Sequence, residues 1–183
     1  MTGREGPDGP DPYVGLDGAR HERTDAGPPP EDFDLIVRGT VEPGHGVASG
    51  RNGDPRFPGG TLRLQHPHFL ARGLDLGACY PGTLNVSVAP RRFRIGAPTV
   101  TLRAVAWSDV LAAESFFFAA CYATHAGRSV AGYVYQPDPA TKSDHPDDPA
   151  HLQVVAPFLP GVAYGSIVTV CLRSAEIELV GDG

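Results

Sequence analysis

Residues 81–88 read Pro-Gly-Thr-Leu-Asn-Val-Ser-Val. The Pro-Gly pair marks a turn, and the residues after it alternate polar and apolar, the period of a half-buried strand. In such a strand Thr83 and Asn85 share one face, while Leu84 and Val86 share the other. Working outward, comparable runs recur: DLIVRGTV at 34–41, TVTLRAVAW at 99–107, SFFFAACYAT at 115–124, SVAGYVYQ at 129–136, HLQVVA at 151–156 and SIVTVCL at 166–172. Residues 61–64 alternate and read as a further short strand, and 66–74 as a weak helix with Phe69 and Leu70 turned inward. Two stretches, 42–60 and 137–150, read as long loops, rich in Gly and Pro and in polar residues and Pro respectively. Short strands punctuated by turn signals, without regular strand–helix alternation, predict a mainly β fold, a compact six- to seven-stranded β-barrel with one or two short helices.

Composition agrees with this reading. The chain has 183 residues, 23 of them Gly and 19 Pro, which disfavours a helical bundle. The acidic, Gly- and Pro-rich residues 1–32 carry few large hydrophobes and are expected to be disordered. The barrel is expected over 33–175, with 176–183 as a C-terminal tail. Most of the formal net charge of -6 falls in that N-terminal head, so the remainder is close to neutral and lacks the basic footprint of a nucleic-acid binder. No apolar run is long enough for a membrane span and no leader pattern opens the chain, so the expectation is a cytoplasmic protein with no membrane partner. Cys79, Cys121 and Cys171 are widely spaced and odd in number, which predicts free thiols, with Cys121 and Cys171 in the core.

Four places carry candidate chemistry. Gly44-His45-Gly46 follows the first strand, where glycines let backbone amides approach phosphate oxygens, with Arg51 and Arg56 in the same loop; the same pattern also suits a plain loop. Thr83 and Asn85 offer two neutral oxygens that suit Mg²⁺, which keeps most of its waters, or simply cap the turn. Thr141, Lys142 and His145 lie in a polar loop that continues to Asp147 and Asp148, a charged run suited to proton or phosphate handling or to solvent alone. Gln153 sits in an otherwise apolar strand, where it would meet a ligand edge or a backbone group. His66 and His68 flank Pro67 and read as surface residues.

In their order, VEPGHGVASG at 41–50, LGACYPGTLNVSV at 76–88, AGYVYQP at 131–137, the Thr/His loop at 141–145, LQVVAP at 152–157 and YGSIVTV at 164–170 resemble the archaeal-type CTP-dependent riboflavin kinases. The resemblance spans roughly residues 34–173. It implies a cradle-loop barrel that moves a phosphoryl group from CTP to the primary alcohol of riboflavin, giving FMN. It also implies nucleotide binding by Gly44, His45, Gly46, Arg56, Thr141 and Lys142, Mg²⁺ held by Thr83 and Asn85, and catalytic roles for His145 and Gln153. Gln153 stands where the family has Glu, and Tyr164-Gly165-Ser166 replaces an acidic DGD turn. The alternatives are the same fold acting on another small-molecule alcohol, or a non-catalytic nucleotide- or flavin-binding module.

Overall fold

A computed structural model describes residues 25–142 and 147–181. In chain order the elements are β1 (Leu35–Val41), α1 (Thr61–Leu70), β2 (Leu84–Ser87), β3 (Arg92–Ile95), β4 (Val100–Val105), β5 (Glu114–His125), β6 (Arg128–Pro137), β7 (His151–Val155), β8 (Ile167–Leu172) and β9 (Ile177–Val180). The fold is mainly β. Six strands close into an antiparallel ring in the order β1, β2, β7, β6, β5, β8, because β8 pairs with both β1 and β5. β4 pairs with the first half of β5, where β8 does not reach. β3 and β9 form a separate two-stranded ribbon.

Strand alternation divides the apolar residues into two cores. Leu84, Val86, Ala119, Cys121, Ala123, Val130, Val134, Leu152 and Val154 belong to one buried cluster, the filling of the ring. Residues of opposite parity on the same strands, Phe116 and Phe118 on β5 and Tyr135 on β6, join Phe69 and Leu62 of α1 in the second cluster. β5 is therefore buried on both faces, which explains its long apolar run. Cys121 and Cys171 are buried free thiols, and burial raises both above the ordinary thiol value.

Three local expectations need correction. Residues 61–64 are the first turn of α1 rather than a strand. Gly60, at positive φ, lets the chain enter that helix while packing against the Ala48 carbonyl. The helix ends at Leu70, and Leu70 is exposed while Phe69 is fully buried, because the inward stripe is Leu62, Gln65 and Phe69. β3 and β9 were not foreseen, and β9 lies within the stretch read as a tail. Residues 1–24 of the N-terminal head lie outside the described residues. Its last part lies along the ring, where the Ala26 N–H donates to the Ser129 carbonyl and Asp32 pairs with Arg173.

Glu176 ties β9 to the sheet. Its Oε2 accepts hydrogen bonds from the Thr99 N–H and hydroxyl and from the Ala120 N–H, and its Oε1 accepts one from Arg173. Burial alone would raise its pKa, but the hydrogen bonds from Thr99, Arg173 and Ala120 outweigh that and hold it below 4.5. A carboxylate depressed in the folded state stabilises fully above its unfolded value and loses that contribution as pH falls through the folded value. The melting temperature is therefore expected to fall as pH drops below about 4.5. Glu176→Gln should cost about 2 kcal/mol at neutral pH, the scale of hydrogen bonds to a charged group, and flatten that acid limb in thermal melts.

Candidate functional site

The pleat that sends Leu84, Val86, Leu152 and Val154 into the ring sends Asn85, His151 and Gln153 to its outer face. β2 and β7 pair antiparallel with Asn85 directly opposite Gln153 and Ser87 opposite His151. The connection 42–60, together with Pro137, Lys142, Asp147 and Asp148 from before and after residues 143–146, lines this face around a cavity of about 540 Å³. Gly44, His45, Gly46, Thr83, Asn85, Lys142 and Gln153 all line it. Residues far apart in the chain, singled out from sequence for separate reasons, thus share one cavity.

The Gly-rich loop fits against the strand without room to spare. A side chain at Gly44 would overlap the Asn85 amide, so the backbone can lie on that amide only because this residue is Gly. Gly46 has positive φ, which reverses the chain toward Arg51 and Asn52. The Asn52 N–H then donates to the Gly46 carbonyl. Thr83 Oγ1 donates to Asn85 Oδ1 at 3.4 Å, so the two oxygens lie side by side. Both are neutral and hard, and a pair of protein oxygens is enough for an ion that keeps its waters and takes phosphate oxygens as its other ligands. The donor set therefore suits Mg²⁺ carried with a nucleotide. Among the described residues there is no cluster of three or more His, Cys, Asp or Glu of the kind that forms a closed protein metal centre.

The polar wall is a charge network. Asp147 Oδ1 accepts one hydrogen bond from Lys142 Nζ and one from Gln153 Nε2, each at 2.6 Å. Its other oxygen, Oδ2, is buried with no hydrogen-bond partner among the described residues. An unmet buried carboxylate oxygen costs roughly 1–3 kcal/mol or more. His151 Nε2 lies 2.7 Å from Glu42 Oε2, and its Nδ1 lies 3.7 Å from Asp148. Arg51 donates to the Tyr164 hydroxyl at 2.6 Å, which joins the Gly-rich loop to the turn before β8.

No family model matches the chain, and no curated protein matches it.

Aromatic side chains, Phe57, Trp107 and Tyr135, also line the cavity. Phe57 and Trp107 rings lie 5.3 Å apart, and Trp107 Nε1 donates to the buried Glu114 carboxylate at 2.7 Å. Burial pushes the Tyr135 phenol well above its ordinary pKa, so it stays neutral and donates its proton to Gln65 Oε1. Apolar rings beside a few fixed polar groups are what a planar heterocyclic ligand needs.

Two expected residues stand apart. Arg56 pairs with Asp54 at 2.8 Å and its guanidinium covers the Phe57 ring, so it does not line the cavity. The Thr141 hydroxyl accepts the Ser115 N–H and donates to the Asp138 carbonyl, which fastens the start of the loop to β5. His145 lies outside the described residues. His66 sits at the surface with Asp75 and the Leu76 N–H, away from the cavity. Sequence reading missed Glu42, Trp107, Glu114 and His151. His151 was within reach, since it lies two residues before Gln153 on one strand and must share its face.

Proposed function

We propose that this chain is a Mg²⁺-dependent phosphotransferase that moves the γ-phosphoryl group of a nucleoside triphosphate, CTP favoured, to the primary alcohol of riboflavin, giving FMN. The observation that supports this reading most is the meeting of Gly44-His45-Gly46, Thr83, Asn85, Lys142 and Gln153 in one cavity that aromatic side chains also line. Phosphoryl transfer asks for positioning and charge neutralisation more than for covalent chemistry. The backbone of the Gly-rich loop would lie along the phosphates, and Thr83 and Asn85 would hold the ion. Mg²⁺, when bound, neutralises charge on the phosphate oxygens. The aromatic side chains would take a flat ring system.

Purified protein is incubated with riboflavin, Mg²⁺ and each of CTP, ATP, GTP and UTP, and FMN is followed by chromatography. FMN formed with CTP and not with the other donors supports the proposal in full. FMN with none of them overturns it. Retained binding of Mg-CTP in that case would direct attention to another small-molecule alcohol or to a binding module.

A further inference from the structure

We infer that Asp147 is the group that takes the proton of the acceptor hydroxyl, an assignment that rests on the phosphotransferase reading above. Gln153 occupies the strand position facing Asn85, but a neutral amide cannot accept a proton from an alcohol at physiological pH. Its Nε2 instead donates to Asp147 Oδ1, and Lys142 donates to the same atom. Two donors on one oxygen fix the carboxylate and leave the other oxygen, Oδ2, as its acceptor site. Oδ2 is buried and unpartnered among the described residues, in a side chain that lines the cavity. A donor from a ligand is the partner such an atom requires.

A second cation and a hydroxyl are the two kinds of ligand this oxygen would accept. The Lys142 ammonium at 2.6 Å already balances the carboxylate, so another positive ion there would meet repulsion. A hydroxyl donor meets none. In the transfer, the acceptor oxygen forms a bond to the γ-phosphorus while the bond from that phosphorus to the bridging oxygen breaks. The bond pair leaves with the nucleoside diphosphate, and the acceptor's proton passes to Asp147 Oδ2. Gln153 and Lys142 are then positioning residues, holding the base at the correct angle.

The test uses the full chain with riboflavin and Mg-CTP, comparing wild type with Asp147→Asn and Asp147→Ala. Turnover, Mg-CTP affinity by titration calorimetry, and thermal melts are measured on each. Both variants should lose about 100-fold in kcat, the scale of general-base catalysis, with Mg-CTP affinity held within about twofold. Formate, a small carboxylate that fits the space vacated in Asp147→Ala, should restore part of that variant's rate. Unchanged kcat in either variant overturns the assignment. So does loss of nucleotide affinity in step with the rate, or indifference of Asp147→Ala to formate. A wild-type protein that makes no FMN fails at the earlier step, overturning the kinase reading and this assignment together, and that failure shows without any variant.

Discussion

Replacing Asn85 with Ala should weaken Mg-nucleotide binding by at least roughly 10- to 100-fold, since even groups that only orient metal ligands contribute that much. The reason is local. Thr83 and Asn85 supply an adjacent pair of neutral side-chain oxygens to the cavity, and Thr83 orients Asn85 by donating to its Oδ1. A two-ligand site that loses one oxygen keeps little hold on its ion. The strand should survive, because Asn85 is on the outer face and the ring is packed by Leu84 and Val86. Titration calorimetry with Mg-CTP, alongside a thermal melt, measures both quantities. Unchanged affinity in a folded Asn85→Ala protein would remove the ion from this place. Gly44→Ala makes a useful companion, since its methyl group displaces the same amide without deleting it.

Phe118→Ala should destabilise the protein by about 3–5 kcal/mol, the range for a fully buried Phe. Phe118 is completely buried and meets the rings of Phe69, Tyr133 and Tyr135 at centroid separations of 5.3, 6.0 and 5.5 Å. Such edge and tilted contacts add to the burial of the ring itself. The residue also joins α1 to β5 and β6, so the cavity left by Ala cannot close without moving the helix. At about 2–4 °C per kcal/mol for a chain of this size, the melting temperature should drop by at least roughly 6 °C. Phe118→Leu should cost much less. A loss below 1 kcal/mol for the Ala variant, read from urea unfolding, would mean that the second cluster adds little to stability.

Much of the fold was legible because most of its strands are half-buried and carry period-two patterns, as in Leu84–Ser87 and Leu35–Val41. The failures have physical causes. α1 holds Pro67 in its interior and a polar Gln65 in its inward stripe, so its 62, 65, 69 spacing is masked as an apolar signal. Gln65 belongs there because it accepts from Tyr135, a partner on β6. β3 and β9 are four residues each, and their register joins Arg92 to Val180, so neither has a local partner that would announce a hairpin. At the site, Asn85 was found through alternation and Gln153 as a polar residue in an apolar run, whereas the Glu42–His151 and Trp107–Glu114 pairs arise from contacts between connections and strand ends. Arg56 read as a cation for phosphate because it lies in a Gly-rich loop, while Asp54 two residues earlier supplies its counter-charge in the fold.

The pleat of β2 and β7 has a consequence for how this protein can vary. Odd-numbered positions, Asn85, His151 and Gln153, face the cavity; even-numbered ones, Leu84, Val86, Leu152 and Val154, fill the ring. Selection on substrate preference and selection on folding therefore act on interleaved letters of the same two short words. A lineage could exchange every ligand-facing letter, one at a time, and pass on an undamaged scaffold. Gln153, one of the cavity-facing letters, already draws its partner from outside the two words, donating to Asp147 on the neighbouring connection.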